Sequence, residues 1–149
     1  MAVLRNLPYG NQHFRVDLGD GSQGVEASFA EVVLPDISID VIEYRTGEDK
    51  ESGTHKLPGL AHYDDVVLRR GIIGSLNLYN WINAVRNGDA NARRNVIISL
   101  LSEDLSEVVF TWKLSRAWPA KYRFGDLDAK GEDVAIEELV LAYERLDIE

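Results

Sequence analysis

Apolar and polar side chains alternate with a period of two through most of this chain, which predicts a protein built from strands. Over residues 13–18, Phe14, Val16 and Leu18 share one face and His13, Arg15 and Asp17 the other. Residues 24–34 and 37–46 read as further strands, separated by the Pro35-Asp36 turn signal. In the second of them Ile37, Ile39 and Val41 fall on one face, and Ser38, Asp40 and Ile42 on the other. Strands follow at 65–70, 95–101 and 107–115, the last setting Val108, Phe110, Trp112 and Leu114 against Val109, Thr111 and Lys113. Lys56-Leu57-Pro58-Gly59 reads as a turn, and the aromatic-basic run 116–124 (RAWPAKYRF) as one that closes on a Trp-Pro turn.

One segment has helical periodicity. Leu78, Ile82 and Val85 recur at i, i+4 and i+7, with Tyr79 and Trp81 widening the stripe. Ser75 is positioned as its N-cap and Gly88 as its stop. Residues 133–146 read as a long final strand whose apolar parity changes, Val134 and Ile136 being even and Leu139, Leu141 and Tyr143 odd. A β-bulge near Glu137-Glu138 would restore one core face. Val140 and Ala142 then form a second apolar face, to be covered by the helix or by a neighbouring subunit. The expected class is a mainly β domain over residues 1–149, two antiparallel sheets in a small barrel or sandwich with one flanking helix. The weakly apolar stretches at 47–55 and 124–133 read as loops.

Composition narrows the function. At 149 residues with 45% hydrophobic and 28% charged side chains, the chain can bury a self-sufficient core, roughly 70% of its unfolded surface. It has no cysteine, so disulfides and thiolate metal sites are excluded. No window approaches the ~18 apolar residues of a membrane span, and no membrane integration is expected. A net charge of −9 disfavours a nucleic-acid binder. The charge is uneven: residues 126–149 hold nine carboxylates against Lys130 and Arg145, and so carry −7 of the −9. Such a segment is a solvated acidic face or an acidic wall toward a channel or a complementary subunit.

Motifs for chemistry are weak. GDGSQG at 19–24 satisfies G-x-G-x-x-G, but Pro35 and a strand follow where a dinucleotide site needs a helix, so a glycine-rich turn explains it better. Among His13, His55 and His62, only His62 with Asp64 and Asp65 makes a local cluster. Glu137 and Glu138 are adjacent on a strand and point to opposite faces, so they cannot act together as acid and base. No serine sits in G-x-S-x-G. The residues support no catalytic constellation, cofactor or metal. Arg69 and Arg70 also face opposite ways, and whichever is buried needs a carboxylate, with Glu43 and Glu137 as candidates.

An ordered set of segments carries a resemblance. It comprises a strand near 11–18, EYR-x-G at 43–47, KLPG at 56–59, LRRG at 68–71 and the helix with Leu78 and Trp81. Trp112 on a strand, AWP-x-K at 117–121 and VAIEEL at 134–139 complete it. In this order and spacing the chain resembles the tail-tube proteins of contractile-tailed phages and phage-tail-like contractile injection systems, across nearly its whole length. Residues 27–33 depart from the family pattern in lacking a glycine turn, and the 47–55 loop is rather charged.

The resemblance implies a structural subunit of an inner tube, made of stacked hexameric rings around a channel that passes cargo. It implies as partners further copies of itself, sheath, baseplate or spike, and tube-terminating proteins, with a cargo effector or phage DNA in the lumen. Assembly in the producing cell's cytoplasm, into a virion tail or an injection particle, is the corresponding expectation. The 47–55 loop would reach toward an adjacent subunit or ring, which makes Arg45, Glu48, Asp49, Lys50 and Glu51 candidate interface residues, alongside Val140 and Ala142. A strand edge, ordinarily an aggregation hazard, becomes useful when it pairs with copies of itself around a ring. The rival reading is a small soluble β-barrel that binds a ligand or catalyses a reaction in its mouth, which predicts a stable monomer.

Overall fold

The computed structural model describes residues 1–21, 24–48 and 53–149. Nine strands and one α-helix run in the order β1 (Phe14–Asp17), β2 (Glu31–Val33), β3 (Ile37–Tyr44), β4 (His55–Tyr63), β5 (Val66–Gly71), α1 (Asn77–Arg86), β6 (Arg94–Leu101), β7 (Val108–Phe124), β8 (Ile136–Ala142), β9 (Arg145–Ile148) among the described residues. Seven of the strands form one antiparallel path, β1-β6-β7-β8-β5-β2 with β9 on β7, and β3 and β4 form a separate two-stranded sheet. The path does not close on itself, so the molecule is an open two-layered arrangement and not a barrel.

β7 joins the layers. Its first half pairs with β6 and β9, and its second half, from Trp118 to Phe124, with β8. The strand turns the corner at two irregularities. Ser115 and Arg116 oppose the single Asn95, with Arg116 at φ 55° and its N–H donating to Asn95 Oδ1. Ala120 is the extra residue where the pairing to β8 shifts between Pro119 and Lys121. The expected Trp-Pro turn is therefore a bulged strand, and a bulge is where a strand tolerates proline.

Other elements correct the sequence reading. Residues 24–34 are not one strand: Gly24–Ala27 is a 3-10 turn and only Glu31–Val33 pairs with β5. KLPG lies inside β4, where Pro58 faces Val41. The final strand is two, β8 and β9, and β8 pairs with β5 residue by residue without a bulge at Glu137. Its parity is regular because Glu137 itself points inward with Leu139 and Leu141, while Val134 precedes the strand.

The core gathers inward rows from both layers: Val16, Val66, Leu68, Val96, Ile98, Leu114, Ala117, Leu139, Leu141 and Leu146. α1 packs against β7 with Leu78 and Trp81 buried, and Trp81 Nε1 donates to the Ala92 carbonyl at 2.6 Å. The helix starts one residue later than a Ser75 cap would place it: Leu76 is the N-cap, without a side-chain capping bond, and Ser75 Oγ instead accepts from the Asn77 N–H at 3.3 Å. It ends at Gly88, whose φ of +80° permits the paired closing bonds Gly88 N–H to Val85 O and Asp89 N–H to Ala84 O.

A polar cluster closes one end of this core. Arg70 and Glu137 stand opposite each other on β5 and β8, both buried, with Arg70 Nε donating to Glu137 Oε1 at 2.5 Å. The guanidinium also donates to the Glu26 carbonyl (2.8 Å) and to Asn77 Oδ1 (2.6 Å), and Tyr122 OH donates to Glu137 Oε2. Burial and the Glu137 carboxylate push the Tyr122 phenol upward, so it remains a donor. The cluster ties the 3-10 turn and the start of α1 to strands of the β7–β8–β5–β2 layer. Of the two carboxylates expected for the buried arginine, Glu137 is its partner.

Candidate assembly surfaces

The most unusual surface is the β3–β4 sheet. On one face stand Ile37, Ile39 and Val41 opposite Tyr63, Ala61 and Pro58; on the other, Ile42 opposite Leu57 and Tyr44 opposite His55. Every residue of β3 is exposed, including Ile39 at 57% and Val41 at 64%, and Leu60 on β4 reaches 73%. The pairing is well specified even so. Its bulge places Gly59 and Leu60 against Asp40 alone, and a side chain at Gly59 would meet Asp40 Cβ at 3.1 Å and Ile42 Cδ1 at 3.2 Å. His62 Nε2 lies 2.8 Å from Asp40 Oδ2 across the strands, so this histidine pairs with Asp40 instead of clustering with Asp64 and Asp65. The base is fixed to the body by Tyr143, which stacks near Tyr63 and donates to the Asp64 carbonyl at 2.6 Å. A lone two-stranded sheet is marginal in water. This one exposes apolar side chains on both faces, beside the Asp40–His62 pair on one and Glu43 and Lys56 on the other, and a partner covering it would remove that apolar area from water.

The sequence located only the far end of this feature. Arg45 and Glu48 are exposed just beyond β3, while Asp49, Lys50 and Glu51 lie outside the described residues. The apolar body is masked in the sequence by KLPG, whose Pro58 and Gly59 carry a local turn signal inside β4. The two-faced apolar pattern ISIDVIEY was the available signal.

Two strand edges form a second surface. β2 is the end strand of its layer, pairing with β5. The Lys121–Phe124 stretch of β7 pairs with β8, and its β6 partner stops at the level of Ala117. Among the described residues no strand flanks the other side of either. Val140 and Ala142 lie between them on the outward face of β8, half-buried beside Val67 and Trp118. The helix does not account for that face, since Leu78 and Trp81 pack into the core on the opposite side.

The acidic C-terminal segment 126–149 is not one wall. Glu137 is buried with Arg70, Glu138 bridges Arg69 and Arg123, and Glu144 pairs with Arg93 and Arg116. Asp147 pairs with Arg145 and Glu149 with Lys113, leaving Asp126, Asp128, Glu132 and Asp133 together before β8. Among the described residues no group of three or more His, Asp or Glu is placed to hold a metal ion. Among the described residues the sheet path stays open and forms no closed barrel.

Comparison with known proteins places this geometry. The profile of the T4-like virus tail tube protein gp19 family matches residues 10–147. A chain of an extracellular contractile injection system, the PVC sheath–tube complex in its extended state, is 30% identical with a TM-score of 0.81, the match covering 95% of this chain and 91% of that one. A chain of the anti-feeding prophage tube-terminating cap is 28% identical with a TM-score of 0.83, covering 100% and 95%. Hcp1 from Flavobacterium johnsoniae, at 15% identity and a TM-score of 0.54 over 91% and 93%, shares the fold. No curated protein sequence matches.

Proposed function

The chain belongs to the T4-like virus tail tube protein family and is a structural subunit of an inner tube, and we propose that it builds that tube as stacked hexameric rings around a central channel. The observation that carries the proposal is the β3–β4 sheet, whose apolar side chains Ile37, Ile39, Val41, Ile42, Leu57 and Leu60 are exposed in the single copy. In a ring or stack, a neighbouring copy would cover it, and the loss of exposed apolar area would stabilise the contact. Arg45, Glu48, Asp49, Lys50 and Glu51, at the end of that sheet, are assigned to the contact with an adjacent subunit or ring. Val140 and Ala142, on a strand flanked on both sides, are assigned to a contact across the sheet face.

Residues 1–149 act as one tube domain in this reading, with no catalytic role. Its partners are further copies of itself, sheath, baseplate or spike, and a tube terminator, with a cargo effector or phage DNA passing through the lumen. Sheath–tube, terminator and baseplate structures hold the similar chains, which supports these assignments. Assembly takes place in the cytoplasm of the producing cell, and the product is a virion tail or a contractile injection particle.

The test is negative-stain imaging and light scattering of the purified chain, alone and with purified baseplates. Hollow tubes of six-copy rings are expected at least on the baseplates. A chain that stays monomeric in both conditions would overturn the proposal, and rings of another copy number would overturn the hexamer.

A further inference from the structure

A row of four charged side chains crosses the outward face of the β2–β5–β8–β7 layer from one open edge to the other. The pairing puts Glu31 opposite Arg69, Arg69 opposite Glu138, and Glu138 opposite Arg123. Arg69 NH1 reaches Glu31 Oε2 at 2.9 Å and Arg69 Nε reaches Glu138 Oε2 at 3.4 Å. Arg123 NH2 reaches both Glu138 oxygens, at 3.2 and 3.1 Å. The signs alternate along the row, so each inner member is held between two opposite charges. The end members have one such neighbour each and are half exposed, Glu31 at 55% and Arg123 at 52%. The row therefore ends in an acid at the β2 edge and a base at the β7 edge. Lys121, on the same face two residues from Arg123 and also exposed, makes the β7 edge doubly basic.

This layer has four strands, each antiparallel to the next. Rotation about a ring axis preserves strand direction, and with an even number of strands β2 of one copy meets β7 of the next antiparallel, like every other pair in the layer. The charged face stays on the same side throughout. Resting on the ring reading above, we infer that Glu31 of one copy pairs with the Arg123–Lys121 edge of the next, joining the rows into an ion-pair belt around the ring. A level register brings Glu31 to Arg123, and a two-residue slip brings it to Lys121. A one-residue slip would turn the side chain to the other face.

The belt does more than attract. Two copies meeting β2 to β2 would set Glu31 against Glu31, and β7 to β7 would set bases against bases. Both are the self-complementary contacts that end growth at a dimer. Opposite signs at the two edges penalise those dimers and favour head-to-tail addition, which closes into a ring.

The test uses the full chain with purified baseplates and reads incorporation into tubes. Glu31→Lys alone makes both edges basic; Lys121→Glu with Arg123→Glu makes both acidic. Each variant, confirmed folded by its circular dichroism and melting curve, is expected to lose incorporation by on the order of tenfold. Mixed in equal amounts, the two are expected to recover to within about threefold of wild type, since a six-copy ring can alternate them. Variants that assemble as well as wild type, or folded variants whose mixture is not rescued, would overturn the inference while leaving the tube reading intact. A wild-type chain that builds no rings would overturn that reading and this inference with it.

Discussion

Arg70 and Glu137 are buried as a pair, and the consequences for stability are asymmetric. Arg70→Met leaves a buried carboxylate with Tyr122 as its remaining donor, and a loss of about 3–5 kcal/mol in chemical denaturation is expected. Combining Arg70→Met with Glu137→Leu should recover most of that loss, because an apolar pair needs no compensating charge. A different carboxylate holds the N-terminal segment. Arg5 bonds both oxygens of Glu103 and lies over the Tyr9 ring, while Val3 N–H donates to the Val109 carbonyl. The Arg5 hydrogen bond, with main-chain N–H groups behind it, holds the Glu103 carboxyl at about 2, below its ordinary 4.5. A carboxyl depressed by folding contributes fully above its ordinary value and loses that contribution as pH falls through the depressed one. Proteolysis near residues 1–10 should therefore stay slow down to pH 4.5 and accelerate as pH approaches 2, and Glu103→Gln should be cleaved fast throughout. Sequence showed that one of the two adjacent arginines would be buried and that Glu137 could meet it. It did not show that the same pairing explains the parity change in β8, because an inward glutamate and a bulge leave the same apolar spacing.

Among the elements, the β3–β4 sheet separates folding from assembly. Its apolar side chains lie in solvent in the single copy, so Val41→Asp or Leu60→Asp should shift the monomer's stability by no more than ~0.5 kcal/mol. The same substitutions should abolish tube growth, measured by light scattering on baseplates. Core substitutions behave in the reverse order: Leu68→Ala, fully buried, should cost about 2–5 kcal/mol. Strands with one buried face were legible from their alternation, as β1, β5 and β6 show, and α1 from its 3.6-residue stripe and Gly88. β4 and the second half of β7 were not. Pro58 and Pro119 signal turns locally, and only the partner strands with their bulges keep these segments extended.

At the scale of the whole molecule, the net charge of −9 was legible, but its meaning was not. Arginines from β5, β7 and the segment before β6 are separated in sequence from the C-terminal carboxylates and near them in space, which divides an apparent acidic wall into ion pairs. Order along the chain likewise hides the open edges, since β2 and the end of β7 become the limits of one layer only when the sheet path is traced. A single copy thus presents an uncovered apolar sheet and two complementary edges, features that suit a repeated neighbour.

The most direct measurement is a cryo-electron-microscopy reconstruction of tubes grown from this chain on purified baseplates. The expected result is sixfold rings in which Ile39, Val41 and Leu60 are covered by a neighbouring copy. Rings in which that sheet remains in solvent, or a chain that adds no ring to the baseplate, would contradict it.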